Sequence, residues 1–316
     1  AGKVSPNEER DRAPDECADE DPKKTKINGL AVNDEEIDED VYWAVDDNTG
    51  RELNPKEVRD ARAEELDFMM KLGVFDLANR DVATMAGCKK PTTVKWIDID
   101  KGTAEKPVVR SRLVARDFKG KDGGREDLFA ATPPWEILKC VLVLARQTKG
   151  EKVMLIDVKK AHLNGKVNME DDGRRFIELP LESKADGKVG ELKRWLYGMR
   201  PAARAWEDDY SKNLEEIDMT RGSAAPTAFW CAGTGVRCVV HGDDFTFTGK
   251  GQELKRIRED MEKWYEIKVR AVLGDEAGDD KKITLLGCTM RWAKDKITIE
   301  VDEKHATIIM EDMGSE

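Results

Sequence analysis

Residues 239–249 read VVHGDDFTFTG, two short apolar runs on either side of a tight turn that carries Asp243 and Asp244. Apolar runs around a Gly-Asp turn predict a β-hairpin. By themselves the two acids are ordinary turn residues, because Asp and Gly are common where a chain reverses. Residues 152–158 (KVMLIDV) predict another strand, apolar until Asp157. Burying a carboxylate without a partner at the end of an apolar strand is costly. The simplest interpretation of Asp157 alone is that it caps a helix or makes a hydrogen bond at the strand end.

Taken together, these three acids suit the binding of two divalent cations. Two Mg²⁺ ions about 4 Å apart require carboxylates from separate backbone elements. Asp157 at one strand end and the pair Asp243 and Asp244 in a hairpin turn could supply them. The arrangement requires the two strands to be neighbours in one sheet.

Outward from these strands, the sequence predicts a mixture of helices and hairpins without regular βαβ alternation, which indicates an α+β fold. Asn54 and Pro55 predict a helix start, Gly73 predicts its end, and Thr132 predicts the cap of a mostly buried helix. The predicted helices span 55–72, 133–148, 202–217 and 251–266; the predicted strands span 92–99, 107–118, 152–158, 227–231, 235–240 and 245–248, with two or three more within 283–301.

The charge of the chain is concentrated at one end. Residues 1–40 hold 14 acidic and 6 basic residues and so carry −8 of the net charge of −11. Residues 1–50 are therefore predicted to form an acidic disordered linker, because so polar a segment cannot offset the entropy of ordering. The nearly balanced remainder leaves room for a local basic cleft. The opening without Met suggests a fragment of a longer polyprotein.

Cysteine usage indicates a reducing intracellular compartment. None of the six cysteines forms a C-x-x-C pair, and only three histidines accompany them, so a zinc site is not expected. Four of the cysteines lie among apolar residues and are predicted to be buried free thiols: Cys140, Cys231, Cys238 and Cys288. No apolar run approaches 18 residues, so no membrane partner is expected.

Five blocks, in order, resemble the reverse transcriptase domain of copia-type LTR retrotransposons. LIDVKKAHLNG (155–165) resembles LDVKTAFLNG, RWLYGMRPAARAW (194–206) resembles KSLYGLKQAPRAW, and VVHGDDFTFTG resembles VYVDDILITG. RSRLVARDF (110–118) is similar to YKARLVAKGF, and DLFAATPP (127–134) to ETFAPVV. Each block alone is moderately specific, but five in order over residues 55–300 are strongly so.

The resemblance implies a right-hand polymerase with fingers, palm and thumb and an antiparallel palm sheet flanked by helices. Residues 51–300 would form this domain, and 301–316 a truncated connection toward a missing RNase H domain. The family's catalytic acids correspond to Asp157, Asp243 and Asp244, which would hold two Mg²⁺ ions (or Mn²⁺) with the backbone carbonyl of Val158.

The resemblance also implies nucleotide contacts and partners. Arg110 and Arg112 match basic positions that approach the triphosphate, although two solvent-facing residues on a strand would look the same, and His162 takes a position beside the sugar. A structural motif is expected at Tyr197, Gly198, Arg204 and Trp206. The implied partners are an RNA template, a DNA primer, dNTPs, and integrase and RNase H domains outside this chain. The implied location is a cytoplasmic particle or the nucleus.

Three departures from the family pattern leave activity open. His162 replaces an aromatic residue, Gly242 stands where the family has a larger side chain, and Pro201 replaces a glutamine. None removes an expected metal ligand. One alternative is therefore a catalytically degenerate nucleic-acid-binding remnant. Another is a nucleotidyltransferase or cyclase on a similar sheet, in which the LYG and RAW blocks would have no reason to occur.

Overall fold

The computed structural model describes residues 42–103, 105–117 and 130–301, together with 26–27, 30–31, 307, 310, 313 and 314. Contacts divide the chain into one unit of residues 1–38 and another of residues 39–316. In the first unit, strand β1 (Lys26–Ile27) pairs antiparallel with β2 (Leu30–Ala31). Most of the predicted linker and most of residues 302–316 lie outside the described residues.

In the described part of the second unit, helices and antiparallel strands are mixed. The helices are α1 (Pro55–Leu72), α2 (Arg80–Met85), α3 (Trp135–Gln147), α4 (Ala202–Glu216) and α5 (Gly251–Trp264). The strands are β3 (Phe75–Asn79), β4 (Val94–Asp100), β5 (Val109–Ala115), β6 (Glu151–Val158), β7 (Phe176–Ile177), β8 (Lys188–Leu192), β9 (Thr220–Arg221), β10 (Ala228–Trp230), β11 (Arg237–His241), β12 (Asp244–Lys250), β13 (Ile267–Leu273), β14 (Lys282–Leu285), β15 (Cys288–Trp292) and β16 (Ile297–Val301). Within this part of the chain, no helix is both long and apolar enough to span a bilayer.

A six-stranded sheet in the order β13-β6-β12-β11-β10-β9 forms the centre of this unit. Its strand β6 is buried on both faces, because Met154 and Ile156 pack in the cluster that contains α4 and α5, whereas Val153 and Leu155 pack in the cluster that contains α3. This explains the unbroken apolar run of the sequence, since a strand covered on both faces needs no polar alternation. The α+β class with an antiparallel sheet flanked by helices is confirmed.

The second cluster also includes the small sheet β14-β15-β16, which contributes Leu285, Met290 and Trp292 to the core on the α3 side. A separate core joins α1 to the hairpin β4-β5 and to the sheet β3-β8-β7. In α1, the Asn54 side chain accepts hydrogen bonds from two backbone amides of the first turn, and Gly73 ends the helix in the left-handed conformation, both as predicted.

The structure corrects several sequence predictions. Helix α3 begins at Trp135 and has no side-chain cap, so the cap at Thr132 was wrong; a Pro-Pro pair disfavours helical dihedrals in the residues before it. Its burial was also overestimated: Cys140 and Leu144 are exposed, because only one stripe of the helix faces the sheet. Cys231, Cys238 and Cys288 are buried, as predicted.

Residues 42–50 are folded, contrary to the predicted linker boundary at residue 50. Asp46 is buried, and its carboxylate accepts hydrogen bonds from the backbone amides of Asn48, Thr49 and Asp100. These bonds attach the segment to β4 and supply the stabilisation that its composition did not suggest.

Candidate active site

The register of the central sheet brings the three predicted acids to one edge. Strands β6 and β12 are antiparallel neighbours, and Asp244 lies directly opposite Asp157. Asp243 occupies the turn that precedes β12, and its carbonyl accepts a hydrogen bond from the Val158 amide at 2.9 Å. Asp243 is exposed, whereas Asp157 and Asp244 are partly buried. The adjacency required by the sequence argument is therefore present.

The electrostatics of this edge disfavour ionised carboxylates. Burial raises the pKa of Asp157, and the neighbouring Asp243 carboxylate raises it further, against smaller opposing effects of Arg270, Arg110 and Lys268. Burial likewise raises the pKa of Asp244; Arg270 lowers it, and the other two acids raise it again. Crowded, partly desolvated negative charge of this kind is relieved by a bound cation.

A basic residue already contacts one of these acids. Arg270, on β13, donates a hydrogen bond from Nη1 to Oδ1 of Asp244 at 3.1 Å. Its Nη2 donates to the carbonyl of Thr284 on β14 at 2.8 Å. The guanidinium thus links the acid edge of the central sheet to the small three-stranded sheet.

The turn that carries the acid pair is fixed from the core. Trp206 of α4 is 2% exposed and packs edge-on against Tyr210, Phe245 and Tyr265. Its indole Nε1 donates a hydrogen bond of 2.9 Å to the carbonyl of Gly242. Gly242 has φ of 65°, in the left-handed region that glycine adopts without strain. The structural-motif residue Trp206 is thereby joined to the turn.

The basic and aromatic positions assigned to nucleotide contacts lie near these acids. Arg112 on β5 stacks over the Tyr197 ring at 5.3 Å, and the His162 ring lies 6.0 Å from the same ring. Burial lowers the pKa of His162, Asp243 raises it, and Arg112 lowers it again. The Nε atom of Arg112 is buried and has no hydrogen-bond partner among the described residues. The charge of Arg110 acts on both Asp157 and Tyr197.

Close backbone approach explains Gly198. The backbone amide of Ala115 donates to the Tyr197 carbonyl at 2.8 Å, which draws this segment against β5. Gly198 has φ of 78°, and a Cβ there would lie 2.5 Å from both the Ala115 carbonyl oxygen and a Val114 methyl group. A side chain would therefore separate Tyr197 from the strand that carries Arg112.

On α4, Arg204 forms an ion pair with Asp208 at 2.9 Å.

The segment between Asp157 and His162 is held by a buried ion pair. Lys160 has φ of 51°, and its Nζ lies 2.6 Å from Oε2 of Glu65 on α1 and 4.4 Å from the Phe68 ring centroid. Both charged side chains are at most 9% exposed. A left-handed lysine is uncommon, so this ion pair stabilises the backbone that leads into the 3₁₀ turn carrying His162.

The acids suit a hard divalent cation in ligand type, and the strand register brings two of them, Asp157 and Asp244, opposite each other. Carboxylate oxygens are the preferred ligands of Mg²⁺, and the raised pKa values of Asp157 and Asp244 indicate a site whose negative charge is not fully balanced. Within the described residues, however, no three His, Cys, Asp or Glu side chains are gathered so that they could hold a metal ion. Arg270 holds one oxygen of Asp244 instead.

A small apolar pocket adjoins Asp244. Residues from the start of α3, from β11 and β12, and from the β14–β15 turn form its walls; they include Pro134, Trp135, Leu138, Val239, His241, Leu285 and Leu286. Because Asp244 and the β14–β15 turn line the same pocket, the β14–β15 hairpin lies beside the acid edge.

Residues 80–284 match the family described as reverse transcriptase (RNA-dependent DNA polymerase), well over half of the chain. The chain belongs to this family. The matched segment includes all three acids and the whole block RWLYGMRPAARAW (194–206). The copia-type assignment made from the sequence is confirmed. No curated protein matches the chain.

Several solved structures are similar to this reverse transcriptase chain. Two are foamy viral protease–reverse transcriptases in complex with double-stranded DNA, at 12% and 14% identity with TM-scores of 0.42 and 0.44. Each match covers 78% of this chain but only 36% and 43% of the viral chains, so the chain spans less than half of their length. An apo telomerase from Candida tropicalis matches at 12% identity and TM-score 0.43, covering 82% of this chain and 64% of that one.

Strand β13, and with it Arg270, was not predicted from the sequence. The run IKVR (267–270) alternates apolar and basic residues after α5, and this alternation was an available signal for the strand. The partnership of Glu65 with Lys160 had no local signal, because the two residues are distant in sequence and meet only through tertiary packing.

Proposed function

We propose that this chain is the polymerase domain of an RNA-directed DNA polymerase that adds dNTPs to a primer 3′-hydroxyl. The observation that carries the proposal is the placement of Asp157 opposite Asp244 on the adjacent strands β6 and β12, with Asp243 in the turn between β11 and β12. This arrangement joins family membership to a specific chemical site.

In this proposal Asp157, Asp243 and Asp244 would hold two Mg²⁺ ions, or Mn²⁺, and the Val158 carbonyl would be a further ligand. When bound, the cations would lower the pKa of the attacking hydroxyl and neutralise the leaving pyrophosphate. The described protein residues have separate tasks. Trp206 fixes the turn through Gly242, and the Lys160–Glu65 pair fixes the backbone after Asp157.

The incoming dNTP would lie between the acids and the hairpin β4-β5. Arg112, whose Nε donor is buried and unpartnered among the described atoms, and Arg110 would bind triphosphate oxygens. His162, close to Tyr197 and under the influence of Asp243, would contact the sugar. Burial lowers the pKa of His162 and so favours the neutral imidazole, which would offer the sugar a polar surface.

The proposed partners are an RNA template, a DNA primer and dNTPs, with integrase and RNase H domains encoded outside this chain. Replication in a cytoplasmic particle, followed by entry of the DNA into the nucleus, rests on the family alone.

Primer extension on an RNA template with dNTPs and Mg²⁺ tests the proposal. Asp243→Asn should abolish extension, because it removes a charged ligand and little buried surface. Asp260→Asn is the matched control, since Asp260 forms a surface ion pair with Lys263 on α5, away from the acid edge. Loss of extension in both variants, or in neither, would contradict the assignment.

A second candidate function is a degenerate nucleic-acid-binding remnant. It is favoured by His162, by Pro201 and by Gly242, whose Cβ position is open and so lacks any side chain that could touch a primer. It predicts salt-dependent primer–template binding without synthesis by the unaltered protein. Steady-state extension would exclude it, and synthesis from nucleotide alone without a template would instead indicate a nucleotidyltransferase or cyclase.

A further inference from the structure

We infer that Arg270 occupies the cation position at Asp244 in the cation-free protein and is exchanged for a divalent cation when the site is loaded. This inference rests on the proposed function, because it takes Asp244 as a metal ligand. It makes Arg270 the residue that compensates the charge of Asp244 when no cation is bound.

A bulge in β13 directs Arg270 toward Asp244. Val269 lies opposite Ile156 and Ala271 lies opposite Leu155, so Arg270 is an extra residue between two consecutive pairs. Such a bulge re-aims a side chain and leaves its residue outside the regular alternation. Arg270 can therefore reach past the intervening strand β6 to Asp244 on β12, where its Nη1 lies 3.1 Å from Oδ1.

The charge of Arg270 acts where a cation would act. The guanidinium pairs with Asp244, and its charge also lowers the pKa of Asp157, which stands directly opposite Asp244. It therefore compensates two of the three crowded carboxylates. Without a cation at this edge, the three negative charges would repel one another in a partly desolvated setting.

The geometry of the contact suits exchange. Only Nη1 contacts Asp244, while Nη2 remains bound to the Thr284 carbonyl at 2.8 Å, so the guanidinium keeps one anchor when it leaves the acid. The Arg270 and Asp244 side chains are 31% and 19% exposed, which gives solvent and ions access. Arg62 provides the contrast: it contacts Asp98 through two nitrogens in a pair that is 9% and 5% exposed.

The inference predicts the direction of a change in metal affinity. A cation must displace the guanidinium from Asp244 and must also overcome repulsion by its positive charge. Removal of that charge should therefore tighten cation binding. A purely structural role for Arg270 would give the opposite result, since a misplaced Asp244 would bind a cation more weakly.

The test is a titration of the full chain with Mn²⁺ alone, without nucleic acid or dNTP, in which free Mn²⁺ is measured by its electron paramagnetic resonance signal. For Arg270→Gln we expect the Mn²⁺ dissociation constant to fall at least about fivefold, equivalent to ~1 kcal/mol. Arg291→Gln is the matched control: Arg291 forms an ion pair with Glu300 on β15 and β16, and its loss should leave the constant within about twofold. Asp244→Asn should weaken binding.

Arg270→Lys guards against failure of the glutamine variant to fold. Lysine keeps the charge but cannot donate to both Asp244 and the Thr284 carbonyl with a planar fork. We expect its Mn²⁺ affinity to lie between those of the parent and Arg270→Gln. Thermal unfolding supplies a second measurement, because tighter binding in Arg270→Gln must appear as a larger Mn²⁺-induced rise in Tm than in the parent.

The outcomes separate the exchange from the proposed function. Parent binding that depends on Asp157 and Asp244, with equal or weaker affinity in both Arg270 variants, would overturn the exchange and leave the polymerase assignment standing. Binding that is unaffected by Asp244→Asn would also overturn it. Absence of Mn²⁺ binding in the parent and in every variant would overturn both proposals.

Discussion

Replacement of Trp206 by Phe is the sharpest test of how the core supports the acid-bearing turn. The change removes the 2.9 Å hydrogen bond from Nε1 to the Gly242 carbonyl, which is worth about 1 kcal/mol. It also removes part of a ring that is 2% exposed and packed among Tyr210, Phe245 and Tyr265. The smaller ring buries roughly 40 Å² less apolar surface and leaves a small cavity, a loss of about 1 to 2 kcal/mol. Together these give about 2 to 3 kcal/mol, or roughly 3 to 6 °C in Tm for a domain of this size.

Urea unfolding followed by circular dichroism measures the stability term, and primer extension measures the effect on the turn. Because Gly242 precedes the acid pair, we expect extension to fall about tenfold or more, since small displacements of reacting groups are costly. Trp292→Phe is the matched control. Trp292 is 5% exposed, and its Nε1 donates to Asp275 at 2.8 Å, so the same substitution removes an equivalent bond away from the turn.

Both variants should therefore lose similar stability, while only Trp206→Phe loses synthesis. A stability loss below about 0.5 kcal/mol in Trp206→Phe would refute the reasoning about burial. Equal loss of extension in the two variants would refute the specific link between Trp206 and the turn.

Three further perturbations test separate parts of the site. The raised pKa of Asp157 means that its protonated form stabilises the cation-free fold at low pH and that this stability is lost as pH rises through the raised pKa. Asp157→Asn should therefore resist urea better than the parent at pH 7.5, and this advantage should be smaller at pH 4.5. A stability difference between the two proteins that is the same at both pH values would contradict this. His162→Phe should increase the preference for dNTPs over ribonucleotides by about tenfold, because a larger apolar ring leaves less room for a 2′-hydroxyl, and unchanged selectivity in competition assays would exclude contact with the sugar. Gly198→Ala should lower the free energy of unfolding in urea by at least about 2 kcal/mol, because its Cβ would lie 2.5 Å from the Ala115 carbonyl oxygen. Gly235→Ala is the control: Gly235 also has positive φ but open space around it, so the loss should be only about 1 kcal/mol. Equal losses would show that the close approach at Gly198 is unimportant.

The sequence carried much of the fold because local signals and tertiary packing agree in the central elements. In α1 the cap at Asn54 and the left-handed Gly73 both act within a few residues, so their prediction needed no knowledge of the rest of the chain. Strand β6 was equally predictable, since its apolar run ends abruptly at Asp157, one residue before the end of the strand. Burial on both faces then gives that pattern its physical cause.

Features that depend on contacts between distant parts of the chain could not be predicted from local sequence patterns. The two faces of α3 could not be assigned in advance, because Lys139 is the only polar residue between Ile137 and Ala145, and only the packed structure shows that Cys140 and Leu144 face away from the sheet. The position of Arg270 depends on a bulge in β13, which shifts the register without a distinctive sequence. The buried ion pair between Lys160 and Glu65 similarly exists only after α1 packs beside the acid edge.

His162 and Pro201 take no part in the contacts that hold the acids, and Gly242 takes part in them only through its backbone. The strand pairing of Asp157 with Asp244 is made by the backbone, and the turn is fixed through the backbone carbonyl of Gly242, which involves no side chain at that position. A loss of function caused by these departures would therefore act on nucleotide or primer contacts and would leave cation binding intact. The two candidate functions consequently predict the same Mn²⁺ affinity but different synthesis. A protein that bound Mn²⁺ through Asp157 and Asp244 yet failed to extend a bound primer would place the defect at the sugar and primer positions, and His162→Phe would be the first change expected to restore extension.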